Sequence, residues 1–269
     1  MASFTFVIPV KDHRGVDNWA TVQRELAATA DSVAGQTCAD WQCVVVAQEG
    51  APLPRLPADI EVLRLDLPPA EVPTSTRTRS DRTRRHAQIR QDKGNRVLSG
   101  LQHLSGSTYW MNLDYDDLVH RQLVERVVRD EVRPGYKLDD GYMFSSGNWA
   151  VRTPDIHLYC GSTIILHKDA VDIPDVSFET IPDIVQAWFG SHWIPRLRLE
   201  EAGTPLQSLG IPGVMYRVGS GASTSLSSGL LRKAFPASLL MSSPRHFARR
   251  VRGIKRLNRV APDYVGASE

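Results

Sequence analysis

At 269 residues the chain suits one large α/β domain, or one domain with an appendage, and is long enough to bury a substantial core. Its 42% hydrophobic and 23% charged residues are ordinary for a water-soluble globular protein, and no apolar run approaches the ~20 residues of a membrane-spanning helix. The net charge of only +2 argues against a nucleic-acid binder, yet basic residues gather at 77–96 and 245–259, an asymmetry that points to anionic partners.

Residues 4–10 are a short β-rich run with Pro9 near its end, and no basic n-region or apolar h-region of a signal peptide precedes them. Residues 18–33 have helical spacing through Trp19, Val22, Leu26, Ala30 and Val33. A turn at 36–41 leads to the Val-rich run 42–47, expected to be a central parallel strand buried on both faces. Strand, helix and strand in this order make a βαβ unit and predict a doubly wound sheet. Cys38, Cys43 and Cys160 show no metal-ligand spacing and cannot all pair, which predicts free thiols in a reducing cytoplasm.

A third strand is expected at 61–67. Residues 68–85, rich in Thr, Ser and Arg and without apolar periodicity, read as a mobile loop, and a helix from about residue 84 to 104 follows. The next strand, 109–113, runs into Asp114, Asp116 and Asp117. Carboxylates at a strand end suit Mg²⁺ or Mn²⁺, which take one or two protein carboxylates and leave their other positions to phosphate and water. Open α/β sheets bind ligands at such ends. Beyond them the pattern predicts a helix at 118–128, strands at 142–144, 149–151 and 157–166, an amphipathic helix at 181–193 with Ile184, Ala187 and Trp188 in the core, and a strand at 210–218. A Ser/Gly-rich loop at 219–229 follows.

Several strings now resemble a family 2 glycosyltransferase with the GT-A fold: Phe6-Val-Ile-Pro-Val10, Ser32-Val33 followed by Gln36-Thr37 and the run 40–46, Asp92-Lys-Gly-Asn-Arg96 with Gly100, Leu113-Asp-Tyr-Asp-Asp117, and Met215-Tyr-Arg217 with Ser223-Thr-Ser225. The resemblance implies a Rossmann-like, mostly parallel central sheet flanked by helices. It implies a domain at 1–235, with 1–117 binding the nucleotide sugar and 118–235 the acceptor, and leaves 236–269 as a tail that its own residues mark as basic and helical. It further implies a DXD motif, a Mn²⁺ or Mg²⁺ cofactor, a nucleotide-sugar donor (a UDP- or other pyrimidine-nucleotide sugar) and a saccharide or lipid-linked acceptor.

Carried onto this sequence, Pro9, Val10 and Asp12 face the nucleotide base, with Gln48 and Glu49 beside them. Asp92, Lys93 and Arg96 precede the metal strand, Arg96 offering a bidentate fork and Lys93 a point charge to phosphate. Asp114 contacts ribose or metal, with Tyr115 beside it, and Asp116 contacts the metal; Asp117 serves the metal or the amides that follow. An inverting transfer needs a base for the acceptor hydroxyl, with the metal offsetting charge on the diphosphate. Asp183 is the first candidate for that base and Glu179 the second; His192 and Trp193 are placed to meet the acceptor. The family's late histidine has no match, since Val218 and Gly219 follow Arg217; either His192 or an additional water compensates, or metal binding is weaker.

In 245–259 Phe247, Val251, Ile254 and Leu257 recur at helical spacing among arginines, which suits either packing on the domain or peripheral contact with an anionic membrane near envelope-bound acceptors. Two other functions remain compatible with these residues: a nucleotidyltransferase of related architecture, although a Gly-rich phosphate loop is lacking after the first strand, and a non-catalytic carbohydrate-binding protein.

Overall fold

A computed structural model describes residues 3–69, 78–130, 132–145, 147–219 and 229–267. The chain is α/β, built on two sheets. In chain order the first half contributes β1 (Phe4–Pro9), α1 (Trp19–Ala34), β2 (Trp41–Gln48), β3 (Ile60–Leu65), α2 (Arg79–His103) and β4 (Tyr109–Asn112). Next come β5 (Leu118–Val119), α3 (Leu123–Arg129), β6 (Gly135–Lys137), β7 (Asp140–Phe144), β8 (Trp149–Pro154) and β9 (Ile164–His167). The rest comprises a single α-turn, α4 (Pro182–Ile184), running into a π-helical turn (Val185–Phe189), then α5 (Trp193–Glu201), β10 (Gln207–Ser208) and β11 (Pro212–Arg217). It closes with α6 (Leu230–Ala234), α7 (Ala237–Ser242), α8 (Pro244–Arg252) and β12 (Ile254–Arg256).

The first sheet has the order β10-β6-β9-β4-β1-β2-β3. Strands β1 to β4 are parallel, and β9 runs antiparallel between β4 and β6. Alternation along the strands explains why both faces are apolar. Phe4, Phe6 and Ile8 of β1, with Cys43 and Val45 of β2, meet Val22, Leu26 and Ala30 of α1. Val7, Val44 and Val46 point the other way, onto Val97, Leu98 and Leu101 of α2. The second sheet, β12-β8-β7-β11-β5, is mixed. Leu118, Tyr142 and Met215 on one of its faces pack against Leu257, Val260 and Tyr264 near the C-terminus.

Several expected elements are corrected. Helix α2 begins at Arg79, inside the stretch read as loop, because Thr78 and Asp81 form a capping box: the Asp81 N–H donates to Thr78 Oγ1 at 3.0 Å and the Thr78 N–H to Asp81 Oδ2 at 3.3 Å. The rest of that loop, 70–77, lies outside the described residues, as do 220–228 with Ser223 and Ser225.

No helix starts at Leu118. Leu118 and Val119 pair with Met215 and Val214, and α3 begins only after Gln122. Two side chains at the end of α1 hold this detour. Gln36 donates to His120 C=O at 3.0 Å and accepts from Val124 N–H at 3.0 Å; Thr37 Oγ1 donates to Glu125 at 2.8 Å.

The strand expected at 157–166 opens instead with a 3₁₀ turn, Ile156–Leu158, and pairs only from Ile164. The helix expected at 181–193 widens into the π-helical turn and stops at Gly190. Ser191 Oγ then accepts from the N–H groups of Trp193 and Ile194, both at 3.2 Å, so Trp193 opens α5 rather than closing a helix. Ile184 is 43% exposed, not a core residue, whereas Ala187 is buried and Trp188 packs partly against the core. The basic helix expected through 259 ends at Arg252 and gives way to β12.

Candidate active site

The carboxyl ends of β1, β2 and β4 lie side by side, and the turn after β4 carries the acidic cluster. That turn is anchored from outside itself. Thr29 of α1 donates to Tyr115 C=O at 2.7 Å, and the Val119 N–H donates to Ser32 Oγ at 3.2 Å. Ser32, Gln36 and Thr37, met in the sequence as a motif fragment, thus hold the chain that follows Asp117, and Thr29 holds the residue two before it.

Asp114 is ion-paired with Lys93 of α2, and its N–H donates to Ser162 Oγ at 2.8 Å. Gly161 lies against the same carboxylate: a Cβ there would collide with Asp114 Oδ2 and come 3.1 Å from Lys93 Nζ. Asp117 is fully buried and accepts from Ser162 at 2.7 Å and from the Cys160 thiol at 3.1 Å. Burial, then the charge of Asp114, raises its pKa to about 7 in spite of those hydrogen bonds. Asp116 is pushed well above the usual carboxylate range by burial and by Asp117, Asp114 and Glu25.

Cations from distant parts of the chain surround the cluster. Lys11, just past β1, lies 5.6 Å from the centre of the Tyr115 ring; burial lowers its pKa while Asp116 and Glu25 oppose the fall. Lys233 of α6 donates to Tyr216 Oη at 2.6 Å. Its pKa too is lowered by burial, against the pull of Asp117, Cys160 and Asp116. Arg217 Nε is 3.9 Å from the buried Glu25. His192 is neighbour to Lys93 and Asp114; burial, then Lys93, holds its pKa down to about 4, so the ring is a neutral imidazole at pH 7.

The other expected site residues fall into two groups. Pro9 and Val10 are buried, and the Val10 N–H donates to Val46 C=O at 2.9 Å. Asp12 is gripped by Arg14, with Nη2 to Oδ2 at 2.8 Å; burial raises its pKa, and the bonds and charge of Arg14 outweigh that to lower it. Gln48 is buried and donates to Leu67 C=O at 3.1 Å, while Glu49 is exposed. Arg96 is buried and turned onto Asp92 at 3.0 Å, one helical turn beyond Lys93.

Asp183 and Glu179 are exposed beside the π-helical turn, and among the described residues no hydrogen bond or ion pair joins either carboxylate to the acidic cluster. Trp193 is partly exposed, with the Arg196 guanidinium 4.3 Å from its ring centre. That turn approaches α2 closely because a Cβ at Gly94 would meet Val185 C=O at 2.6 Å and one at Gly190 would strike the Arg90 carbonyl. The same contact brings His192 toward Lys93.

Glu25, Cys160, Gly161, Ser162 and Lys233 were not anticipated. Glu25 had a legible signal, an acid between Val22 and Leu26 on the apolar face of α1. Lys233 had none, since its place depends on how the chain returns to the sheet.

Among the described residues no group of three or more His, Cys, Asp or Glu is arranged to hold a metal ion. A divalent cation on a diphosphate needs fewer, one or two carboxylates with phosphate and water completing its shell. Asp116 fits that part, because its ionised form is opposed by neighbouring carboxylates that a dication would offset. Asp114 would join it on leaving Lys93.

No family model matches the chain, and no curated protein matches it. Solved structures similar to it include S. aureus TarS 1-349 in complex with UDP, with 10% identity over 81% of this chain and 61% of that one and a TM-score of 0.41. The same protein in complex with UDP-GlcNAc gives 10% identity over 85% and 62%, with a TM-score of 0.39. The chain thus spans about 61% of the length of that relative, and at this identity and TM-score the likeness assigns it no activity.

Proposed function

We propose that the chain is a glycosyltransferase that moves a sugar from a nucleotide-sugar donor to a saccharide or lipid-linked acceptor with inversion. The observation that carries the reading is the convergence of Asp114, Asp116 and Asp117 with Lys11, Lys93 and Lys233 where the parallel strands end. A diphosphate is the ligand that this mixture suits: the lysines would meet its oxygens, and Asp116 with Asp114 would hold a divalent cation that offsets its charge.

In this reading the nucleoside lies over the ends of β1 and β2, near Asp12 and Gln48. Mn²⁺ or Mg²⁺, held by Asp116 and Asp114, would supply charge neutralisation for the leaving diphosphate. Lys93, Lys11 and Lys233 add fixed positive charge around the same oxygens. An acceptor hydroxyl forms its bond to the anomeric carbon on the face opposite the diphosphate. The carbon–oxygen bond to phosphate breaks, its electron pair stays on phosphate, and the hydroxyl proton passes to a carboxylate. Asp183 is the proposed base: it is exposed and its carboxylate has no partner among the described residues, so it is available to an acceptor. His192, neutral at pH 7, would accept a hydrogen bond from the acceptor or donate one to it, and the open face of Trp193 suits a sugar ring.

Release of nucleoside diphosphate from a panel of nucleotide sugars tests the reading, with Asp116→Ala as the comparison. Turnover by the wild type that the variant loses is the expected result. Pyrophosphate release from a nucleoside triphosphate and a sugar phosphate, with no nucleotide-sugar turnover, would replace the reading with a nucleotidyltransferase.

A further inference from the structure

Between residues 229 and 262 the sequence carries nine Lys or Arg and no Asp or Glu. Arg250 is the buried member of the set, donating to Ala234 C=O at 2.8 Å and to Tyr159 Oη at 3.1 Å. Its anchorage fixes α8 on the fold and leaves Arg245, Arg249 and Arg252 exposed. His246, 3.6 Å from Asp155, is where this helix meets an acid.

Large apolar side chains stand in water among these charges: Met241 is 86% exposed, Trp149 50%, Val251 46% and Ile254 39%. Two of them share a face. Strand β12 pairs antiparallel with β8, so Ile254 lies opposite Val151 and Arg256 opposite Trp149, and the Arg256 guanidinium is 5.7 Å from the Trp149 ring centre. That face walls an apolar groove of about 700 Å³, which Leu230 and Arg232 of α6 also line.

We infer that this surface docks on an anionic lipid bilayer. Positive charge alone suits any polyanion. Exposed aliphatic and aromatic groups interleaved with arginines suit a bilayer interface, which offers hydrocarbon to Val251, Ile254 and Trp149 and phosphate to their neighbours. Arg232 and Lys233 are adjacent on α6, the first in the groove and the second at Tyr216, so docking sets the candidate active site beside the lipid surface. This last step rests on the proposed sugar transfer; the docking itself does not.

Co-sedimentation of the full chain with vesicles tests the inference. Binding to vesicles of equal parts phosphatidylglycerol and phosphatidylcholine, weakening as salt rises, with none to phosphatidylcholine alone, is expected. Each cation near such a surface raises partitioning about fivefold, so the combined Arg245→Glu, Arg249→Glu and Arg252→Glu variant should lose more than about a hundredfold. Trp149→Ser with Ile254→Ser should weaken binding while leaving every charge in place, and thermal melting checks that both variants fold. Equal binding to neutral and anionic vesicles, or none to either, overturns the inference whatever the variants do. Retention on polyphosphate or DNA without vesicle binding replaces the bilayer with a soluble polyanion.

Discussion

The ammonium of Lys233 donates to the hydroxyl of Tyr216 at 2.6 Å, tying α6 to the end of β11 beside Asp116 and Asp117. A lysine so held, partly desolvated and facing carboxylates, is a preorganised cation for an incoming phosphate. The sequence has no histidine in the stretch after Tyr216 where the resemblance expects one, and Lys233 brings positive charge to the same strand end. Lys233→Ala should weaken nucleoside diphosphate binding about tenfold, or about 1.4 kcal/mol, with little change in Tm. Lys233→Arg should recover most of the loss. Equal calorimetric affinity for the wild type and the alanine variant would remove Lys233 from the site.

The clamp from Gln36 to His120 and Val124 should matter to stability first. Gln36→Ala leaves the Val124 N–H of that turn without its partner and takes one of two donors from the His120 C=O, which keeps the Leu123 N–H, at a cost of about 1–3 kcal/mol. Chemical denaturation reads this as a lower midpoint with an unchanged slope. An unchanged midpoint would show that water replaces the side chain at no cost.

Acid should set buried histidines against the fold in a defined window. The pKa of His192 is lowered to about 4, and those of His120 and His157 are lowered too, each chiefly by burial. A histidine kept neutral in the fold costs nothing above its unfolded pKa of ~6.5 and opposes folding as pH falls below that value. These rings should therefore oppose folding between about pH 6.5 and 4, while Asp116 and Asp117, whose pKa values are raised, favour the fold as they take up protons over the same range. His192→Gln should thus gain Tm relative to the wild type as pH falls from about 6.5 to 4. The same Tm difference between His192→Gln and the wild type at about pH 6.5 and at about pH 4 would contradict the burial of this ring.

Loss of the proposed base has a distinct kinetic signature. Asp183→Asn should keep donor affinity and lower single-turnover transfer by roughly 10²–10⁴-fold, with Glu179→Gln doing much less. Wild-type transfer by Asp183→Asn would reject the assignment, and loss of transfer in the Glu179 variant alone would move the role there.

What could be read in advance follows the range of the forces involved. The strands β1, β2 and β4 and the helix α1 are local patterns of burial, and their period is visible in Phe4, Phe6 and Ile8 or in Val22, Leu26 and Ala30. The motif resemblance singled out Lys93 and Asp114 separately, one for phosphate and one for ribose or metal, and their ion pair was not read from it. Where the reading failed, a tertiary partner overrode local propensity. Leu118 and Val119 pair with β11 rather than coil, because Gln36 and Thr37 hold the next turn. Ser191 restarts a helix that Gly190 has stopped. Lys233 and Ser162 join the cluster through chain returns that no local period encodes, and the basic helix gives way to β12 because β8 offers it a free edge.

The most direct measurement is calorimetric titration of UDP into the protein with and without Mn²⁺, repeated on Asp116→Ala. Binding that Mn²⁺ strengthens in the wild type and leaves unchanged in the folded variant is the result expected of a diphosphate site built on Asp116. No UDP binding by the wild type under either condition, or the same Mn²⁺ gain in the variant, would contradict it.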